Sequence, residues 1–130
     1  MINNETNRVV GSTRYIFIQP EHKNLEIGFT FYDQMNRRTS CNTETKLLLL
    51  TDAFERLKCL RVQFKVDLRN LPSQEAMLRI GAKKEGILRK WHYLHHNGHE
   101  RNVVLFSILD DEWPEVKLLL NEKLKNYKEK

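Results

Sequence analysis

The chain has 130 residues, 40% of them hydrophobic and 30% charged, with 22 basic against 17 acidic side chains and a formal charge of +5 at pH 7. That size and mix fit one globular domain spanning residues 1–130, able to bury roughly two thirds of its unfolded surface. The longest apolar runs, such as Leu47 to Leu50, fall far short of the ~20 residues that a membrane-spanning helix needs.

The N-terminus, with Asn3, Asn4, Glu5, Thr6 and Asn7, holds no apolar stretch of the kind a secretory signal carries. Arg8 to Ile18 is rich in β-branched and aromatic residues, Gln19 to Asn24 is a polar turn containing Pro20, and Leu25 to Tyr32 is strand-like again. The two runs read as an antiparallel pair. After the basic loop from Asp33 to Cys41, apolar Leu47, Leu50, Ala53, Phe54 and Leu57 recur at helical spacing, with Leu48 and Leu49 widening the stripe. This predicts a helix from Asn42 or Thr43 to Lys58. A strand over Leu60 to Val66 follows, then a helix from Asn70 to Ile80 and a strand from Lys84 to Leu94. Asn70 suits an N-cap, Pro72 a first turn and Gly81 a left-handed stop. Asn97-Gly98 is a hairpin signal, so the chain returns as a strand through Arg101 to Leu109. Acidic Asp110, Asp111 and Glu112 then open a final helix with Trp113 and Pro114 in its first turn. The whole is a mixed α/β (α+β) sheet layered with helices.

The stretch from Val66 to Arg89, VDLRNLPSQEAMLRIGAKKEGILR, carries an Asn-x-x-Ser turn, a short helix closed by glycine and a second strand. It resembles the cofactor-facing segment of GNAT-type N-acetyltransferases, particularly the RimJ/RimL branch. The resemblance covers about residues 8 to 122 and implies a GNAT-like sheet lacking the family's opening strand, two helices and second strand. On that reading the chain is N-terminally truncated, and Asn3 to Asn7 form a hairpin turn whose first strand is lost.

The resemblance implies an acyltransferase that moves acetyl from acetyl-CoA to a primary amine, on a protein N-terminus or a small molecule. Arg37, Arg38, Thr39, Ser40, Cys41, Asn42 and Thr43 stand where the family places its pyrophosphate loop, with Ser40 and Asn42 at the glycine positions. Such a loop aims backbone amides and a helix N-terminus at a diphosphate. The Leu25 to Tyr32 strand, with Phe29 and Phe31, would border acetyl-CoA where it splays from the Leu60 to Val66 strand. Asn70 and Ser73 match the residues expected on the pantetheine arm, Ser73 as a proton donor to the leaving thiolate. Glu26, in Leu-Glu-Ile-Gly-Phe, matches the carboxylate of the family's strand motif and is the candidate general base. Alternation turns it away from the side of Leu25 and Ile27, where a solvent-facing glutamate is the ordinary alternative. A non-enzymatic alternative is a CoA-binding remnant or an interaction domain that associates, even with itself, through an exposed sheet edge.

Other features are bland by comparison. His92, His95, His96 and His99 are split by the hairpin turn and lack metal-ligand spacing. Cys41 lies in a basic loop near a helix start, yet the family transfers acetyl directly to the amine, and Cys41 and Cys59 read as free thiols of a cytoplasmic protein. Trp91 and Tyr93 suggest one aromatic strand face used for packing. The positive charge suits an anionic partner, and Lys117, Lys123, Lys125, Lys128 and Lys130 suit a solvated helix face and tail. No groove-reading helix or single-strand stacking motif supports a nucleic-acid role, and no metal is implied.

Overall fold

The computed structural model of the protein describes residues 1–36 and 39–128, apart from the side chains of Phe29, Asn36 and Lys128. A two-residue strand β1 (Ile2–Asn3) pairs with β2 (Arg8–Val9) around a turn at Asn4 to Asn7. The expected turn is therefore present, with Asn3 itself in the two-residue strand that leads into it. The Met1 ammonium and carbonyl tie it down by bonding Gly11 O and Val10 N at 2.8 and 3.0 Å.

The main sheet has five strands: β3 (Gly11–Gln19), β4 (Asn24–Tyr32), β5 (Arg61–Asp67), β6 (Lys83–Leu94) and β7 (His99–Leu109), in the order β3-β4-β5-β7-β6. Among the described residues only the β4–β5 pair is parallel. Its crossover runs through helix α1 (Cys41–Thr51), as a parallel connection requires. Helices α2 (Leu71–Arg79) and α3 (Trp113–Lys128) complete the chain.

Alternating residues of the central strands, Leu25, Ile27, Val62, Phe64, Phe106 and Ile108, bury one sheet face against Leu50, Ala53 and Phe54 and against Trp113, Val116 and Leu120 of α3. Each of the Val, Leu, Ile and Phe side chains among them contributes about 1.5–3 kcal/mol by leaving water. The long helix departs from its expected course. Regular α-helix stops at Thr51 and continues as a π-helical turn over Asp52–Arg56, in which Leu57 N bonds Asp52 O at 2.9 Å. The chain ends that turn on Lys58 at a left-handed φ of 58°. Leu48 does not join the buried stripe but is 66% exposed, and Leu57 is exposed as well. A helix turns 100° per residue, so four consecutive leucines cannot all face one side.

Helix α2 forms for the reasons legible in its sequence. Asn70 Oδ1 accepts the Ser73 amide at 3.3 Å. At the other end, Gly81 N bonds Leu78 O and Ala82 N bonds Met77 O, both at 3.1 Å, with Gly81 at φ 94°. That bond pair around a left-handed glycine is the Schellman termination. It turns the chain directly into β6.

Candidate functional site

The parallel ladder between β4 and β5 is short: Asn24 pairs with Arg61, Leu25 with Val62 and Glu26 with Gln63. Beyond Glu26 the two strands diverge, β4 remaining with β3 and β5 with β7. The fork opens into a cavity of about 590 Å³ bordered by α1, α2 and strands on both sides of the split. Strand atoms that lose their ladder partners here are available to a ligand.

Glu26 is the acid at the crotch of this fork. It is only 4% exposed, although its neighbours Leu25 and Ile27 occupy the core on the opposite face. The solvent-facing alternative therefore does not hold. Its Oε1 accepts the Gln63 amide at 2.7 Å and lies 2.9 Å from Lys65 Nζ. The same sheet face carries ion pairs joining Arg61 to Glu85 and Arg101 to Asp67, the latter at 3.3 Å. Burial pushes the Asp67 carboxyl up, but its hydrogen bonds from Arg69 and the charges of Arg69 and Arg101 win and hold it below the usual range.

Along the α1 side, Asn42 is a junction. Its Oδ1 accepts the Tyr32 hydroxyl at 2.8 Å and Lys46 Nζ at 2.9 Å, one helical turn further on. Loss of hydration, helped by the charge of Lys123, lowers the Lys46 amine to about 8. Burial pushes the Tyr32 phenol up to about 12. Asn42, Tyr32 and Lys46 all border the cavity. Ser40 at the α1 N-cap has φ −64° and ψ −11°, and its side chain caps no amide. Neither Ser40 nor Asn42 adopts a left-handed backbone, so nothing in their conformation calls for glycine.

Of the residues singled out from sequence, Glu26, Asn42, Asn70 and Ser73 meet at the cavity. Thr39 Oγ1 accepts the Cys41 amide at 3.2 Å at the start of α1, while Thr43 is buried beneath it. Phe31 is exposed and outside the cavity wall. Arg37, Arg38 and the Phe29 side chain lie outside the described residues. Cys41 is half-buried away from the cavity wall, and burial pushes the Cys59 thiol up. Tyr93 contributes no core packing; it is exposed and meets His95 edge-on at 4.8 Å. Among the described residues no group of three or more His, Cys, Asp or Glu is placed to hold a metal ion.

Sequence reasoning missed Lys46, Lys65, Phe17 and Arg101 and read Trp91 as packing; all five are on the cavity wall. The alternation Arg61, Gln63, Lys65, Asp67 against Val62, Phe64, Val66 shows that Lys65 shares a face with Gln63. It cannot show that Glu26, from another strand far back in the chain, lies beside it.

The profile of the acetyltransferase (GNAT) domain family matches residues 1–83. An uncharacterized N-acetyltransferase, p20, from Bacillus licheniformis is 28% identical over 113 residues, which are 87% of this chain and 62% of p20. A crystal structure from T. thermophilus, described as that of a candidate acetyltransferase, shares 45% identity at a TM-score of 0.83, covering 88% of this chain and 60% of its own. A GCN5-related N-acetyltransferase from Brucella melitensis shares 29% identity at a TM-score of 0.86, covering 93% of this chain and 54% of its own. The chain thus spans between about half and two thirds of the lengths of these relatives.

Proposed function

Since the chain belongs to the GNAT acetyltransferase family, we propose that it takes acetyl-CoA as donor and a primary amine as acceptor, working as one domain over residues 1–130. The observation that carries this reading is the ladder between β4 and β5, which ends at Glu26 and Gln63 beside a cavity holding Asn42, Asn70 and Ser73.

In this reading the pantetheine arm lies in the fork along β4 and contacts Asn70 and Ser73. A β4 amide without a ladder partner polarises the thioester carbonyl, the electrostatic support that matters most in acyl transfer. The diphosphate meets the N-terminus of α1, with Thr39, Ser40, Cys41, Asn42 and Thr43 around it and Arg37 and Arg38 supplying charge. Lys46, paired with Asn42, adds a cation from the next turn. The acceptor arrives as an ammonium and must lose a proton, since lysine titrates near ~10.4 and an α-amine near ~7.7–8.0. Glu26 takes that proton, the nitrogen bonds the carbonyl carbon and passes its second proton to water as the C–S bond breaks, and the thiolate takes a proton from water or from Ser73, which regains one from water.

The RimJ/RimL-like Asn-x-x-Ser segment favours a protein N-terminus over a small amine, and the thiols Cys41 and Cys59 suit a cytoplasmic setting. A second reading, association through a sheet edge, draws on exposed Phe17 and Ile18 of the edge strand β3, with Ile2 and Val9 nearby in sequence.

Titration with acetyl-CoA followed by thermal unfolding tests the donor. At a hundred times its Kd the ligand adds about 2.7 kcal/mol to stability, which is a rise in Tm of several degrees. No shift at saturation would sink the proposal. Release of free thiol on adding an amine then separates turnover from binding, and a thermal shift without thiol release would leave a CoA-binding remnant.

A further inference from the structure

Lys65 is an unusual lysine. It projects from the middle of the sheet, its side chain is 13% exposed, and its Nζ lies 2.9 Å from the buried Glu26 carboxylate. Two aromatic faces enclose the same ammonium: the Phe17 ring centroid is 4.8 Å away and that of Trp91 4.5 Å. Both fall within the ~6 Å at which a ring quadrupole attracts a cation. The walls come from both outer strands of the sheet, Phe17 from β3 and Trp91 from β6, with Glu26 and Gln63 between them on β4 and β5.

Each ring reaches this point through a break in its strand. The β3 register slips between Ile16 and Gln19, where Phe17 has φ 49°; the β6 register slips between Leu88 and His92, where Lys90 has φ 51°. Left-handed backbone is strained for any residue bearing a side chain, and bulges at such places re-aim side chains. An ordinary surface ion pair needs no such walls. A carboxylate, held in place by the Gln63 amide N–H, and two aromatic faces together form a receptor for an organic ammonium, neither for a metal ion nor for an anion.

We propose that the box of Glu26, Gln63, Phe17 and Trp91 is a binding site for a primary alkylammonium group, and that Lys65 fills it as a placeholder for the ammonium of the acceptor. The proposal rests on the amine-acceptor reading above and names the site where that amine binds. A buried carboxylate is stable only with a counter-ion, so an empty acceptor site built around Glu26 must supply its own cation. The Lys65 side chain is itself a primary ammonium on a four-carbon stem, and its fit shows the class of group the box takes. The outer walls are open: Phe17 is 62% and Trp91 41% exposed. A flexible lysine stem can therefore swing toward solvent as an incoming ammonium takes its place. Phe17, Glu26, Lys65 and Trp91 all border the cavity at the fork, beside the position assigned to the thioester.

The test needs no acetyl-CoA. With lysine side chains labelled with nitrogen-15, the Lys65 ammonium should give a resonance protected from solvent exchange, assigned by its loss in Lys65→Arg. Adding n-butylammonium chloride should move it to the position and exchange rate of a free lysine, whereas the neutral isostere n-butanol should not. By calorimetry, Lys65→Ala should bind n-butylammonium at least tenfold more tightly than the wild type, and Lys65→Ala/Glu26→Gln should not bind it. A Lys65 signal unmoved by the amine would overturn the proposal, even if Lys65→Ala bound the amine, because a box that only its own lysine can enter is no acceptor site. If Lys65→Ala does not fold, the wild-type titration decides by itself. Displacement of Lys65 by the amine in a protein that fails to bind acetyl-CoA would refute the donor assignment and leave the ammonium site standing.

Discussion

Replacing Lys46 by methionine should stabilise the protein at neutral pH, which is unusual for removing a hydrogen-bonded charge. Burial holds the Lys46 amine near 8, against an ordinary 10.5. The folded state therefore disfavours the ammonium, and between those two values the unfolded chain binds more protons, so stability rises with pH. Below pH 8 the full penalty applies; at about 1.4 kcal/mol per unit of lowering it is about 3 kcal/mol. Methionine keeps most of the apolar stem and removes the charge. It also removes the bond to Asn42 Oδ1, worth about 1 kcal/mol, while the Tyr32 hydroxyl still satisfies that oxygen. The net gain at pH 7 is about 2 kcal/mol. By pH 9.5 most of the penalty has already gone from the wild type, and the advantage shrinks by about 2 kcal/mol to near zero. Urea denaturation of both proteins at pH 7 and pH 9.5, at one ionic strength, measures the difference directly. A stability gap that is the same at both pH values would refute the idea that burial of the ammonium costs folding energy.

Other outcomes follow from the same structure. A polyanion bound beside Lys46 should raise its amine value again, so acetyl-CoA binding at pH 8 should draw protons from the buffer; calorimetry in buffers of different ionisation enthalpy reads the uptake. Glu26→Gln should lower kcat by roughly 10²- to 10⁴-fold while leaving acetyl-CoA affinity nearly unchanged; an unchanged kcat would exclude Glu26 as the base. Gly81→Ala should cost about 1–2 kcal/mol in urea denaturation, since φ is 94° there and a Cβ would sit 3.3 Å from Val116 Cγ2. Leu50→Ala, at a side chain with no exposed surface, should cost about 2–5 kcal/mol by leaving a cavity between α1 and the sheet.

Local chemistry explains which parts of this architecture could be read in advance. Asn70, Pro72 and Gly81 act on backbone groups within a few positions of themselves, so α2 and its termination were legible. Asn97-Gly98 likewise marked the β6–β7 hairpin, where Gly98 adopts a φ of 69°, although the loop runs over four residues, His95 to Gly98, and not the two that an Asn-Gly turn by itself predicts. The π-helical turn over Asp52–Arg56 was not legible, because no local residue demands it. There, Thr51 Oγ1 bonds Leu47 O at 2.6 Å and the Tyr15 hydroxyl, from β3, bonds Leu49 O at 2.6 Å.

The site divides in the same way. Alternation along each strand put Glu26 on the face opposite Leu25, and residue type identified Asn70 and Ser73 as polar groups at the start of a helix. Those are properties of neighbours along one chain, with a period of two in strands and 3.6 in helices. Whether Glu26 met water or a counter-ion depended on the register between β4 and β5 and on two bulges at the outer strands. Pairing across a sheet joins residues far apart in the chain, and nothing local encodes the partner. The order of elements, the caps and the identity of the polar residues are thus written in the chain itself, in residues that act on their neighbours. Long-range packing alone settles that Glu26 is buried against Lys65, that Phe17 and Trp91 enclose the pair, and that the ladder stops beside the cavity.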